Sequence, residues 1–128
     1  MSQAVIARKL LVVDADQISR TVFKHTFSMR GHTVRLASTA AEAIASAAAE
    51  SPDVIIYDWS FRDRSGLGLA KNLRAACPRA VVIVALSVLD EPDDFRCRED
   101  VDDYIVKPAL AESIEQAFET ALATRRRL

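Results

Sequence analysis

The chain has 128 residues, half of them hydrophobic and 27% charged. That is enough for one domain with a real apolar core, and it excludes disordered, collagen-like and coiled-coil readings. Seventeen basic residues against eighteen acidic ones leave a net charge of -1, without the positive field that general binding to a phosphate backbone needs, so no nucleic-acid partner is expected. Cys77 and Cys97 are too few for a disulfide scaffold or a four-ligand zinc site. No stretch approaches the roughly 20 apolar residues that span a bilayer, and Met1 to Lys9 lacks a cleavable leader pattern. A cytoplasmic domain with no membrane partner is expected.

Taken in chain order, short apolar runs alternate with stretches of helical spacing, which predicts a βαβ series. Leu10-Leu11-Val12-Val13 is the first run. Ile18, Val22, Phe23 and Phe27 then share one helical face, with Asp16 placed as the N-cap and Gly31 as the terminator. Thr33-Val34-Arg35-Leu36-Ala37 alternates, as an edge strand does when one face is wet. Thr39 and Glu42 have the spacing of a capping box, and the alanine-rich helix they open stops before Ser51-Pro52.

The second central run is Val54-Ile55-Ile56-Tyr57. A third helix is expected from about Gly66 to Cys77, with Leu67, Ala70, Leu73 and Cys77 toward the sheet and Pro78 as its stop. Val81 to Leu86 is the next buried run. The segment Asp90 to Val101 carries Pro92 and the carboxylates Asp90, Glu91, Asp93, Asp94, Glu99 and Asp100, so only a short or poorly anchored fourth helix is expected there. Tyr104-Ile105-Val106 is the last strand. Leu110, Ile114, Ala117, Phe118, Ala121 and Leu122 then mark the final helix, whose negative end is favoured by Arg125 to Arg127.

Five strands joined by right-handed crossovers give a three-layer, doubly wound α/β fold, a flavodoxin-like (βα)5 arrangement with strand order 2-1-3-4-5. One domain is expected over residues 1–128, with its core at about 9–122. The residue after each central run is then lifted to one edge of the sheet: Asp14, Asp58, Ser87 and Lys107. Two carboxylates in proximity call for a cation, and hard oxygen ligands with room for water suit Mg²⁺. A lysine and a hydroxyl beside them suit the oxygens of a phosphoryl group.

Leu-Leu-Val-Val-Asp14, Asp58 followed by Ser65-Gly66, Ser87 at the end of strand 4, and Asp103-Tyr104-Ile105-Val106-Lys107-Pro108 together resemble the receiver domains of two-component response regulators, from about Lys9 to Leu122. The resemblance implies that Asp58 accepts a phosphoryl group from a histidine kinase, a phosphotransfer protein or a small phosphodonor. Lys107 would neutralise phosphoryl charge, while Ser87 and Tyr104 would form a switch that alters the surface of the fourth helix, fifth strand and fifth helix. Asp14, Asp58 and the main-chain carbonyl of Ser60 would hold Mg²⁺, with Asp16 as a further candidate ligand. A cis bond before Pro108 is also implied. Such a domain is a signalling module rather than an enzyme, stand-alone or excised, whose output lies in a downstream protein or an effector domain of a longer chain, with a homodimer as a further partner state.

Three positions depart from that pattern. Ala15 stands where the family has the second member of an acidic pair, a direct metal ligand, so a weakened Mg²⁺ site is expected. Arg62 replaces a proline in the loop after Asp58, and Val88 replaces a small residue after Ser87. Ala15 opens a second reading, a receiver-like interaction module that is not efficiently phosphorylated. A third, weaker one takes Asp14-Ala15-Asp16 as the nucleophile and acid of a phosphatase similar to haloacid dehalogenases. His25 and His32 carry no ligand spacing and are assigned no chemistry.

Overall fold

The computed structural model describes residues 5–61, 69–86 and 101–126. Its strands are β1 (Lys9–Val13), β2 (Thr33–Ala37), β3 (Val54–Asp58), β4 (Val81–Leu86) and β5 (Asp103–Val106), all parallel in one sheet of order β2-β1-β3-β4-β5. Among the described residues, the α-helices are α1 (Gln17–Met29), α2 (Ala40–Glu50), α3 (Leu69–Ala76) and α4 (Ala111–Arg126), and a 3-10 turn spans Trp59–Phe61. The predicted strand order and doubly wound layering are therefore observed, and α4 is the helix that the sequence reading placed fifth. The acidic segment with Pro92, for which a poorly anchored helix is expected, lies outside the described residues, as do Gly66 and Leu67.

Alternation along the central strands feeds two cores. Leu11, Val13, Ile55, Tyr57, Val82, Val84 and Leu86 pack with α2 and α3 through Ala43, Ala47, Leu69, Ala70 and Leu73. Leu10, Val12, Val54, Ile56, Val81, Ile83 and Ile105 pack on the other side with Phe27 of α1 and Ile114, Phe118 and Leu122 of α4. Covering on both faces explains why β1, β3 and β4 read as continuous apolar runs, while edge strand β2 keeps Thr33 and Arg35 exposed.

Local signals end the helices where the sequence places them. The Asp16 carboxylate accepts the Ser19 N–H at 3.0 Å and caps α1, and Gly31 at φ 96° ends it. Thr39 Oγ1 accepts the Glu42 N–H at 3.1 Å. The Glu42 carboxylate reaches back to the N–H and hydroxyl of Ser38, one residue before the N-cap that a reciprocal capping box would use. Ser51, in the left-handed region at φ 49°, is the C-cap of α2.

Two expectations from helical spacing are corrected. Ile18 and Val22 are 74% and 57% exposed, and Leu110 is 75% exposed. Apolar residues at 3–4 spacing mark a face, but only Phe27 and half-buried Phe23 of the α1 set reach the sheet, because the strip they define is wider than the contact with β1 and β2. Leu110 precedes the first turn of α4 and so never joins its buried stripe.

Candidate functional site

Strand register builds the site. Val13 lies opposite Tyr57, so Asp14 and Asp58 stand side by side at the carboxyl end of the two central strands, the edge at which ligands bind in open α/β sheets. Asp58 is the last residue of β3, one position earlier in the chain's geometry than a residue following the strand would be. Lys107 follows β5, its main-chain N–H bonded to the Leu86 carbonyl at 2.7 Å, and its bond to Pro108 is cis as the sequence reading implied.

From that anchor the Lys107 ammonium bridges the pair, donating to Asp14 Oδ2 at 2.8 Å and to Asp58 Oδ2 at 2.5 Å. The remaining oxygens take main-chain donors: Asp16 N–H to Asp14 Oδ1 at 2.9 Å, and Ser60 N–H to Asp58 Oδ1 at 2.8 Å. The two carboxylates differ in access. The Asp14 side chain is 6% exposed and that of Asp58 is 22% exposed, so Asp58 is the one that an incoming group can reach.

Electrostatics follow from this packing. Burial alone would raise the Asp58 pKa, but the Lys107 hydrogen bond and the Ser60 N–H outweigh it and hold the carboxyl below its ordinary range. Burial likewise opposes the charge on Lys107, and the two aspartates overcome it, raising its pKa. The site thus presents an ionised carboxylate beside a fixed cation.

A sequence model described as the response regulator receiver domain matches residues 10–119. The chain belongs to the response regulator receiver domain family. It is 33% identical over 100 residues to the transcriptional regulatory protein KdpE of Mycobacterium tuberculosis, covering 77% of this chain and 43% of that protein. It is 27% identical to the Regulator of RpoS of Escherichia coli K12, over 84% of this chain and 32% of that one. The chain therefore spans less than half of these curated relatives. A Burkholderia pseudomallei response regulator, solved with a phosphorylated aspartic acid, a calcium ion and citrate, superposes with a TM-score of 0.78 at 28% identity, over 94% of this chain and 71% of that one. Receiver domains are signalling modules of two-component systems; they work with histidine kinases and effector domains, and generally with Mg²⁺.

Within this receiver domain, the sequence-derived site residues divide. Asp14, Asp58 and Lys107 converge, with Ser60 beside them. Tyr104 is half-buried against the α2–α3 core. Ser87, Arg62 and Val88 lie outside the described residues. Ala15 is exposed and has no side-chain oxygen, and one carboxylate oxygen of Asp16 accepts the Ser19 N–H as the cap of α1. Among the described residues no three acidic, histidine or cysteine side chains gather in metal-ligand geometry. Two carboxylates and a carbonyl still suit Mg²⁺, which keeps several waters and is bound through one or two carboxylates plus phosphate oxygens.

Sequence reasoning missed two sets of polar residues. Arg20 donates through Nη1 to the Asp14 main-chain carbonyl at 2.7 Å, fixing the end of β1 from the first turns of α1. Its position six residues after Asp14 was the available signal. His32 is buried between the rings of Phe27 and Phe118. Its Nδ1 accepts the Arg8 N–H at 3.0 Å, which places the proton on Nε2, 2.7 Å from Glu115 Oε2. Arg30 closes the cluster on Glu115, and Arg8 pairs with Glu119 through two bonds of 2.6 and 2.7 Å. The Arg30 bond is the largest influence holding the Glu115 carboxyl below its usual range. These contacts pin α4 across the sheet, and no local sequence signal announces them because the partners lie more than 80 residues apart.

Proposed function

We propose that this chain, as one receiver domain with its core at about residues 9–122, accepts a phosphoryl group on Asp58. The donor would be a phosphohistidine of a histidine kinase or phosphotransfer protein, or a small phosphodonor. The observation that carries the reading is the Lys107 bridge between a buried Asp14 and a more accessible Asp58 at the carboxyl edge of β1 and β3. In the transfer, an Asp58 carboxylate oxygen forms a bond to phosphorus. The P–N or P–O bond of the donor breaks, and the leaving group departs with the electron pair, as an imidazole that solvent protonates or as a carboxylate anion. Lys107 then exchanges its contact with Asp58 Oδ2 for a phosphoryl oxygen, which stabilises charge where it develops.

Asp14, Asp58 and the Ser60 carbonyl are the groups that would hold Mg²⁺, which when bound neutralises phosphoryl oxygens. Ser87 and Tyr104 are the proposed switch, read out on the surface formed by β5, α4 and the segment between β4 and β5. We assign the chain no turnover beyond slow self-dephosphorylation, and place it in the cytoplasm. The phosphorylated aspartic acid of the Burkholderia relative supports the same chemistry here.

Ala15, together with the use of Asp16 as the cap of α1, favours one competing reading, a protein-contact module that has kept the fold and lost efficient phosphorylation. Trp59, buried directly after Asp58, reports on the pocket by fluorescence. Mg²⁺ followed by beryllium fluoride is expected to give a saturable change that Asp58→Asn abolishes, with Ala15→Asp shifting the Mg²⁺ midpoint to at least tenfold lower concentration. A response seen only in Ala15→Asp would replace the phospho-switch with the contact module.

A further inference from the structure

β5 carries Lys107 to the pocket, yet little in the strand itself fixes its position. It is four residues long and stands at the edge of the sheet, beside β4. Of its four residues Ile105 alone is buried. Register is set by apolar alternation against the core, and a single buried residue specifies it weakly. A slip of one residue would carry Lys107 by about 3.3 Å along the strand direction. That is enough to break its bonds of 2.8 and 2.5 Å to Asp14 and Asp58.

Asp102 holds the start of the strand. Its main-chain N–H donates to the Val82 carbonyl at 2.9 Å, and its Oδ2 accepts the Val82 N–H at 2.8 Å, so residue 102 takes both main-chain polar groups of one β4 residue. Arg74 of α3 donates to the same Oδ2 at 2.8 Å. Arg125, in the last turn of α4, donates through Nη1 to Oδ1 at 3.3 Å and through Nη2 to the Pro78 carbonyl at 2.6 Å. The Asp102 side chain is 16% exposed, so these charge-assisted bonds are largely shielded from water. Helices on opposite faces of the sheet thus converge on one carboxylate, at the edge far from Asp58. Moving β5 along β4 would part Asp102 from Val82 and from both arginines together.

We infer that Asp102 is a positioning residue for the phosphoryl site: by locking the register of β5 against β4, it sets the Lys107 ammonium between Asp14 and Asp58. Its effect on phosphoryl transfer rests on the reading of Asp58 as the acceptor, whereas its hold on Lys107 does not.

Amide exchange followed by NMR, together with phosphorylation by acetyl phosphate in excess Mg²⁺, tests both parts. The Lys107 N–H bonds the Leu86 carbonyl and reports the register at the far end of β5. In Asp102→Ala it should exchange at least about tenfold faster, the factor that follows from losing bonds to a charged group, while amides of β1 and β3 keep their protection. Phosphoryl uptake by Asp58 should slow by a similar factor. In a Lys107→Met background the same Asp102→Ala change should slow uptake no further, because a residue that acts through Lys107 then has nothing left to place. Arg125→Met leaves Asp102 and Val82 bonded and is the milder variant should Asp102→Ala lose protection throughout the sheet. It too should quicken exchange at Lys107 and leave β1 and β3 unchanged. Wild-type exchange at Lys107 in the folded variants, or equal slowing of uptake with and without Lys107, would overturn the proposal. A wild-type chain that takes up no phosphoryl group would defeat the acceptor reading alone, and exchange at Lys107 would still decide the role of Asp102.

Discussion

At Lys107 the energetics of the site concentrate in one ammonium group. Its two carboxylate partners sit on different strands, so the residue is both a bridge in the resting site and the cation that a phosphoryl group would meet. Asp14, Asp58 and Lys107 were legible in the sequence because each ends an apolar run, and a parallel sheet brings run ends to one edge. His32 was not, because a histidine after a glycine reads as a turn residue until the fold places Glu115 against it. Glu115→Ala is expected to lower stability by about 2 kcal/mol, since it leaves the Nε2–H of His32 buried without an acceptor. Urea denaturation measures this, and an unchanged midpoint would show that the ring finds another partner.

Elements followed the local code where caps and turns decide them. Asp16, Thr39 and Gly31 act as their residue types suggest, and β2 and β4 keep the bounds read from apolar patterning. The faces of α1 were less legible, since periodicity reports which residues align and not how wide a strip the sheet covers. Ser51 ends α2 in a left-handed conformation that costs a residue with a β-carbon. Ser51→Gly removes that cost and is expected to stabilise the fold by roughly 0.5–1 kcal/mol, less the entropy glycine adds to the unfolded chain. Thermal unfolding tests it, and a lower midpoint would mean that the entropy term wins.

Across the whole molecule the charges give stability a definite pH profile. Asp58 and Glu115 titrate lower in the folded state than the ordinary values of about 3.9 and 4.3, so their contribution is complete above those values and is lost as pH falls through the folded ones. Lys107 titrates higher than its ordinary value of about 10.4, so its contribution is complete below that and is lost as pH rises through the folded value. A plateau from about pH 5 to about pH 9 with declines on both sides is expected from these three groups. Urea midpoints across that range test it. Asp58→Asn should flatten the acid limb, and an acid limb of wild-type slope would remove Asp58 from the account.

The central claim is that Asp58 remains a working phosphoacceptor although Ala15 has replaced an acidic ligand. Intact-mass spectrometry after incubation with acetyl phosphate and excess Mg²⁺ addresses it most directly. The account predicts one added phosphoryl group per chain, absent from Asp58→Asn and formed at lower Mg²⁺ in Ala15→Asp. An unmodified wild-type chain under conditions that modify Ala15→Asp would contradict it.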